Sequence, residues 1–377
     1  MDTITHGIAG LLIGKSFFSE REGRSATLAL TFSAVFPDSD SVVNLLTDNR
    51  ITYLEVHRGI THSLIALPLF ALLLGVLTSL AARRRRKWLL YSSVCAIGLA
   101  SHILFDLITS FGTMVWSPLS NTRVAWDMIF IVDAVFTSIL LLPQLIAWAY
   151  SDRRKLLYRA CAVWLLMTTG GFAFAWLARW QGVPASKWSA PIASLVTAAL
   201  LVAPSVNGKG FQWSTSTYCR TGLITFAIYL GMSLLAHQAA LARVEEFAAY
   251  SGVKVDYLAA LPSPPSLLHW SALVQSSDGV YRSSIDLTDS RQPRYQFFHN
   301  AEDNPFVQAA AELPDVKTYF WFARFPWVTY YQNDGLHVVV IRDIQFYWPA
   351  RGDRAPFTLR ISLDSNRRVI SSNLLPR

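Results

Sequence analysis

Residues 88–110 read WLLYSSVCAIGLASHILFDLITS and follow the basic cluster Arg83-Arg-Arg-Arg-Lys87. Crossing a bilayer takes about 20 mostly apolar residues at 1.5 Å rise each, so this run predicts a transmembrane helix. A basic cluster beside such a run usually marks the cytoplasmic side of the membrane. Near its other end the run carries His102 and Asp106, two ionisable side chains that are costly at membrane depth and usually have a function there.

The rest of the chain has the composition of a membrane protein. Of its 377 residues, 52% are hydrophobic and 15% are charged, whereas soluble domains have roughly 25% charged residues. The net charge of +8 is explained by basic loops between apolar runs, so a nucleic-acid partner is not expected. Further runs of adequate or nearly adequate length lie at 60–82, 129–150, 156–178, 188–204 and 218–241.

The predicted fold is mainly α, a polytopic helical membrane bundle of about six full spans. The apolar stretches 4–18 and 26–37 are too short to cross alone. They predict two short N-terminal helices, packed as a hairpin about Ser19–Ser25. We expect a membrane domain over 1–241, a linker over 242–265 that ends in Leu261-Pro-Ser-Pro-Pro265, and a small β-rich domain over 266–377. The strand-like runs of that last domain are 336–341, 344–348 and 357–362. The aromatic stretch 319–331 is expected to be a strand core, and an aromatic belt resting on lipid headgroups is the alternative.

The basic loops predict an orientation. Placing Arg83–Lys87 and Asp152–Lys155 in the cytoplasm makes the spans alternate without conflict and leaves the β-rich domain extracytoplasmic. All the paired His and Asp side chains of the first third of the chain then lie on the outer face. Random placement of polar caps would scatter them over both faces, so this convergence indicates one site.

The spacing of these residues is typical of metal ligands. His102 and Asp106 are four apart on a helix and share a face, and imidazole with carboxylate suits a first-row metal. An internal hydrogen-bonded pair is the alternative. The string His57-Arg-Gly-Ile-Thr-His62-Ser63 brings two histidines near one centre, with Arg58 offering a planar fork for an anion. The alternative there is a membrane-interface cap with a snorkelling arginine.

Other candidates gain weight from context. Pro37 ends a helix, and Asp38 and Asp40 then stand two residues apart, as in an oxygen-rich metal site or in an ordinary Asx turn. His6 could add a ligand, with Asp2 close to it in sequence. Asp133 lies in an apolar run and is costly unless paired, so it is a candidate ligand or base. Asp127 is as well explained as an acid at a helix start.

This ligand set is too large for one tetrahedral ion and predicts two metals that activate water for hydrolysis, especially of phosphate esters. Zinc, manganese and iron all accept nitrogen and oxygen donors, so the identity of the metal stays open. The predicted ligands are His6, Asp38, Asp40, His57, His62, His102 and Asp106. Arg58 would clamp an anionic substrate group, and Asp133 would serve as a further base.

The same motifs carry a family resemblance. Asp2…Thr5-His6…Gly10, Pro37-Asp38-x-Asp40, His57-Arg58-Gly59-x-Thr61-His62-Ser63 and His102-x-x-x-Asp106 with Gly112 resemble the LexA-regulated, inner-membrane-associated, metal-dependent hydrolase family. The resemblance covers roughly residues 1–140. It implies a multi-pass hydrolase of the bacterial inner membrane, with these His and Asp residues as metal ligands. It supplies no substrate and does not extend to the C-terminal part.

A site at headgroup level favours a membrane lipid or lipid-linked phosphoester as the substrate. Two other interpretations stay open at this point. A transporter or ion-handling protein also carries intramembrane acids and histidines, but it predicts ligands spread through the membrane depth and paired broken helices. A structural metal predicts a closed ligand set. The sequence does not determine the oligomeric state.

Overall fold

The structure, a computed structural model, describes residues 1–43, 50–180, 187–206, 211–264, 267–347 and 355–375. The chain divides into two compact units. The first comprises mainly Met1–Ser39 and Arg58–Ser233, and the second comprises Asp40–His57, Leu234–Ser263 and Leu267–Arg377. In this division, residues 40–57 and the end of the last long helix belong with the C-terminal unit, and the expected domain bounds stay a prediction.

Helices make up most of the chain, and those described are named here in chain order. They are α1 (Thr3–Phe17), α2 (Ser19–Glu22), α3 (Arg24–Val35), α4 (Arg50–Val56), α5 (Leu67–Ala81), α6 (Trp88–Leu107), α7 (Ala134–Tyr150), α8 (Leu156–Trp180), α9 (Ser189–Leu201), α10 (Ala203–Val206), α11 (Thr215–Tyr250), α12 (Pro305–Ala311) and α13 (Pro314–Phe322). Short 3-10 turns lie at Phe36–Val42, Ile60–His62, Arg85–Lys87, Arg153–Lys155 and Ile344–Phe346.

Among the described residues, four helical segments are long and apolar enough to cross a membrane. They are Arg85–Leu107, Arg153–Leu177, Ser189–Val206 and Thr215–Tyr250, and the count rises to 5 if α5 and the helical segment before it form one span. The expected number of about six spans is therefore not confirmed.

Local structure explains why α5 and α7 are shorter than the apolar runs 60–82 and 129–150. Residues 60–66 form a 3-10 turn followed by a second turn at 64–66, so α5 begins only at Leu67. Asp133 caps the first turn of α7 by accepting hydrogen bonds from the N–H groups of Val135 and Phe136, so it lies before the helix and not inside it. The apolar run 129–150 therefore yields a helix of 17 residues.

The N-terminal hairpin is confirmed and explains how the site is supported. Gly23, at φ 80°, lies between α2 and α3 in a conformation that favours glycine. A Cβ on Gly10 of α1 would lie 2.8 Å from the Cβ of Ala34 on α3. A Cβ on Gly98 of α6 would overlap Ser33 and lie 2.7 Å from the carbonyl oxygen of Leu30. These close backbone approaches hold α1, α3 and α6 together around a core that includes Leu30, Tyr91 and Leu99.

The second unit confirms the expected β-rich C-terminal region with two antiparallel sheets. The strands of the first, in the order β1-β2-β3-β4, are β1 (Val255–Pro262), β2 (His269–Ser276), β3 (Gly279–Asp286) and β4 (Gln296–His299). The second, in the order β5-β6-β7-β8, has β5 (Pro326–Asn333), β6 (Leu336–Asp343), β7 (Leu359–Leu363) and β8 (Val369–Leu374). Ala240 and Val244, near the end of α11, pack against the buried side chains of Trp270, Ala272 and Ile285 on the first sheet.

Three stretches differ from their predicted structure. The expected linker 242–265 contains the end of α11 and all of β1. The expected strand 344–348 is a 3-10 turn over Ile344–Phe346, because the Asp343 carboxylate accepts a hydrogen bond from the Gln345 N–H and turns the chain there. Trp348 lies outside the described residues. The aromatic stretch 319–331 is the end of α13 followed by most of β5, and Tyr319, Phe322 and Phe325 are buried as expected of core residues.

Candidate metal centre

Four side chains from three segments of the first unit converge on one point. Asp38 follows Pro37 in the 3-10 turn Phe36–Val42, which comes directly after α3. His62 is the last residue of the turn Ile60–His62. His102 and Asp106 lie one turn apart near the end of α6 and point from the same face, as their spacing predicted. One ligand atom from each of the four residues lies within 4.8 Å of the other three.

The distances between these ligand atoms suit a small cation. Nε2 of His102 lies 3.0 Å from Nε2 of His62, 3.4 Å from Oδ2 of Asp106 and 3.5 Å from Oδ1 of Asp38. Nε2 of His62 lies 3.1 Å from Oδ2 of Asp106 and 3.8 Å from Oδ1 of Asp38. Neighbouring ligands of a tetrahedral zinc ion are about 3.3–3.6 Å apart, since each lies about 2.0–2.2 Å from the metal. The observed distances scatter around that value.

The second nitrogen of each imidazole is held by a neighbour. Nδ1 of His102 lies 2.7 Å from the carbonyl oxygen of Ala34, which can only accept, so this nitrogen donates and Nε2 of the neutral ring carries a lone pair. Nδ1 of His62 lies 3.0 Å from the hydroxyl of Thr61. Metal-binding histidines commonly have such a partner on the nitrogen that faces away from the metal.

In each of the two carboxylates, one oxygen is held by a neighbouring group and the other faces the histidines. Oδ2 of Asp38 accepts a hydrogen bond of 2.5 Å from the hydroxyl of Thr3, which leaves Oδ1 facing the histidines. Oδ1 of Asp106 is contacted by Arg58 and by the amino group of Met1. Oδ2 of Asp106 is buried and makes no hydrogen bond within the described part of the chain. A buried carboxylate oxygen without a hydrogen bond, facing two imidazole nitrogens, is what a metal site requires.

Arg58 is a support of the carboxylate in this structure. Its side chain is 2% exposed, its Nη2 lies 2.8 Å from Oδ1 of Asp106, and its Nη1 donates to Thr109 at 3.1 Å. The guanidinium also lies over the ring of Phe111, 4.8 Å from the centroid. The backbone of Arg58 has φ 60°, a conformation unusual for a residue with a side chain. The expected role as a clamp for an anionic substrate stays a prediction beside these contacts.

His6 lies next to the four residues but outside the group. It is buried, and its ring stacks on that of His102 with centroids 3.6 Å apart. Its Nε2 lies 3.3 Å from Oδ1 of Asp106, yet neither ring nitrogen makes a hydrogen bond among the described residues. Asp2, expected as a possible partner of His6, instead caps α1 by accepting a hydrogen bond from the Thr5 N–H.

Asp40 and His57 lie in the second unit, where they pair with each other. Nδ1 of His57 is 3.0 Å from Oδ1 of Asp40, and Tyr53 stacks on the His57 ring with centroids 4.6 Å apart. The structure therefore brings together four of the seven predicted ligands as one group and places His6 against them. The assignment of Asp40 and His57 as ligands stays a prediction.

Asp133 has a local structural role. Besides capping α7, Asp133 accepts a hydrogen bond of 2.8 Å from the hydroxyl of Tyr229. Asp127 is buried and has φ 54°. Sequence reasoning missed Thr3 and the Ala34 carbonyl, which orient Asp38 and His102. No sequence pattern marks a backbone carbonyl as the partner of a histidine 68 residues away.

Fold and site together describe a mostly helical membrane protein with a His/Asp group at metal-binding distance in its N-terminal unit. Comparison with protein families agrees with that class: residues 1–181 match the model of the YdjM inner membrane protein family. This match and the apolar helices support a location in the membrane. The matched residues cover the N-terminal unit up to the end of α8. No curated protein and no solved structure matches the chain. Hydrolysis and LexA-dependent regulation remain predictions from the resemblance.

Proposed function

We propose that this protein is a membrane-bound, metal-dependent hydrolase whose metal is held by Asp38, His62, His102 and Asp106. The observation that carries the proposal is Oδ2 of Asp106, a buried acceptor that makes no hydrogen bond among the described residues and faces the Nε2 atoms of two histidines. A divalent cation in this position would supply Lewis acidity and activate water for attack on a phosphoester. The donor set of two nitrogens and two oxygens fits zinc, manganese or iron.

The residues around the group have separate roles in this proposal. Arg58 holds Asp106 through one oxygen, and Thr3 holds Asp38 in the same way, so both carboxylates are oriented before a metal binds. Asp38 retains 11% side-chain exposure, whereas the other three side chains are fully buried. The site therefore opens on the Asp38 side, and a substrate would approach there.

A structural metal is the second candidate, and the size of the donor set favours it. Four protein ligands complete the coordination of a tetrahedral zinc ion and leave no position for water. Manganese or iron with six positions would keep two open. The number of metals also depends on the available donors. A second ion would need His6, Asp40 or His57 in addition to the four residues.

Elemental analysis of the full chain in detergent tests the proposal. We expect about one tightly bound equivalent in the wild type and its loss in His62→Ala and Asp106→Asn. Asp133→Asn is the matched control, because it changes an acid that caps a helix outside the group. Retention of metal in both ligand variants would refute the assignment, and a second equivalent would support the dinuclear prediction.

Hydrolysis needs its own test. Bis(p-nitrophenyl) phosphate, a soluble phosphodiester, should be cleaved by protein reconstituted with zinc, manganese or iron and not by the chelated protein. Metal binding without cleavage of this or of a lipid phosphoester would leave the structural role as the explanation of the site.

The proposal includes the orientation predicted from the basic loops, with several spans and with the site and the C-terminal unit outside the cytoplasm. Impermeant thiol reagents applied to intact cells should label a cysteine placed at Ser277, on an exposed turn of the second unit. They should not label one placed at Arg84, in the basic cluster. The reverse pattern would overturn the orientation and leave the metal assignment untouched.

A further inference from the structure

Two loops beside the metal centre expose large apolar side chains. One loop contains the turn Ile60–His62 and continues to Ala66, and the other follows α6 and includes residues 113–119. Each of the exposed residues has at least 42% of its surface accessible, and Leu119 reaches 81%. We call this set the apolar collar, and it consists of Ile60, Leu64, Ile65, Trp116 and Leu119.

Hydrogen bonds join the two loops into one surface. The N–H of Leu64 donates to the carbonyl oxygen of Val115 at 3.0 Å. The hydroxyl of Ser63 donates to the carbonyl oxygens of Val115 and Ser117, the two neighbours of Trp116. Leu119 is bound to the same turn through its N–H, which donates to the carbonyl oxygen of Trp116 at 2.9 Å. The collar is therefore a single patch with a defined backbone.

The collar adjoins the metal centre directly. His62 lies between Ile60 and Leu64 in sequence and is itself fully buried. The carbonyl oxygen of Arg58, whose side chain holds Asp106, accepts a hydrogen bond of 3.0 Å from the N–H of Met114. Ile60 and Leu64 of the collar are thus each two residues from His62, a proposed ligand.

The composition of the collar is unusual for loops. Loops normally carry polar residues because they face water, but residues 60–66 and 113–119 contain no Asp, Glu, Lys or Arg. Exposed apolar patches mark surfaces that contact another apolar phase or a partner. Tryptophan in particular is enriched where protein meets the headgroup level of a membrane.

Continuity with the membrane-facing helices identifies the occupant. After Ile65 the chain enters α5, which exposes Leu69, Leu72 and Leu73, so the apolar surface runs from the loop along the helix without a polar break. The second loop follows the candidate span Arg85–Leu107. A patch at the end of spanning helices, continuous with their lipid-facing side chains, lies at the boundary of the hydrocarbon layer.

We propose that the apolar collar inserts into the membrane interface and that the substrate is a phosphoester of a membrane lipid, which enters the site from the bilayer. The part concerning the substrate rests on the proposed hydrolase function, whereas the part concerning insertion does not. The bilayer is the occupant that the continuity with α5 favours, and a second copy of the chain or another protein would be an alternative outcome.

Spin-label accessibility tests the insertion. Single cysteines at Leu64, Trp116 and Leu119, introduced after replacing Cys95, Cys161 and Cys219 by alanine, are labelled with a nitroxide in phosphatidylethanolamine–phosphatidylglycerol vesicles. We expect collision with oxygen to exceed collision with a water-soluble nickel chelate at these positions, and the reverse at a control cysteine at Ser277. Dominant collision with nickel would show a collar in water, and collision with neither would show a collar covered by protein. Either result overturns the proposal.

Hydrolysis rates test the lipid substrate. The rate on a phospholipid in vesicles is divided by the rate on bis(p-nitrophenyl) phosphate for Trp116→Asp, Leu119→Asp and the control Ser277→Asp. We expect this ratio to fall about tenfold in the collar variants and to stay at the wild-type value in the control. An unchanged ratio contradicts delivery from the bilayer. Absence of both activities in the metal-loaded wild type refutes the hydrolase function alone, because the spin-label result still decides insertion.

Discussion

Nη2 of Arg58 lies 2.8 Å from Oδ1 of Asp106, while Oδ2 of the same carboxylate faces Nε2 of His62 at 3.1 Å. One carboxylate thus joins a buried guanidinium to the His/Asp group of the candidate site. Because Arg58 also donates to Thr109 and lies over Phe111, its position is fixed by the protein and not by a substrate. The arginine of the His-Arg-Gly-x-Thr-His-Ser string therefore orients the Asp106 carboxylate in this structure.

Arg58→Lys should weaken metal binding. A lysine places one ammonium where the guanidinium holds both Asp106 and Thr109, so the carboxylate loses its fixed orientation. We expect the dissociation constant for the metal to rise about 10- to 100-fold, as measured by competition with a chromophoric chelator.

Arg123 provides the matched control for that measurement. Its guanidinium lies over the same ring, 4.9 Å from the centroid of Phe111, but it donates to the carbonyl oxygens of Phe111 and Gly112. Arg123→Lys should leave the dissociation constant close to the wild-type value. Equal losses in the two variants would show a general effect of disturbing this region and would contradict the specific role of Arg58.

His6→Phe should leave the metal bound to the four-residue group. Phenylalanine keeps a ring against His102, and His6 lies outside the set of atoms that converge on the site. We expect about one metal equivalent in this variant by elemental analysis, as in the wild type, because the four donors are intact. Complete loss of metal would show that His6 is a primary ligand, and loss of one equivalent out of two would support the dinuclear prediction.

Gly98→Ala should destabilise the first unit. The added Cβ would overlap Ser33 and lie 2.7 Å from the Leu30 carbonyl oxygen, so α3 and α6 would be forced apart. Overpacking of this kind costs about 1–3 kcal/mol. Gly170→Ala is the control, since a Cβ at Gly170 of α8 meets nothing within 4 Å. Thermal unfolding in detergent should show a lower midpoint for Gly98→Ala alone, and equal midpoints would argue against the close packing.

Asp343→Ala should destabilise the second unit. The buried carboxylate accepts hydrogen bonds from the N–H groups of Arg324, Phe325 and Gln345, and all three would lose their acceptor. The loss should be about 2–4 kcal/mol, because unsatisfied buried groups cost about 1–3 kcal/mol each and water relieves part of the cost. Asp278→Ala removes an exposed carboxylate from a turn and should change stability by less than about 0.5 kcal/mol. Limited proteolysis of the full chain compares the two, with faster cleavage within residues 255–375 expected for Asp343→Ala.

Periodicity and apolar length were sufficient to predict the helical and β-rich parts of this chain. The runs 88–110 and 156–178 became long helices because an apolar run of that length has no better way to satisfy its backbone. The expected number of about six spans is not confirmed, and at two of the apolar runs polar chemistry shortens the helix. Asp133 caps a helix, and residues 60–66 turn, and both features depend on hydrogen bonds that hydropathy does not measure.

The sequence by itself determined which side chains are candidates for the metal centre, because a His or Asp in an apolar run is costly unless it has a function or a partner. It also determined that His102 and Asp106 share a face, through the helical repeat. Only the tertiary structure decided which of the seven candidates meet, since Asp38 and His62 lie in turns that are distant in sequence from His102 and Asp106. The same is true of Arg58, whose contact with Asp106 joins residues 48 positions apart, beyond the reach of any local pattern.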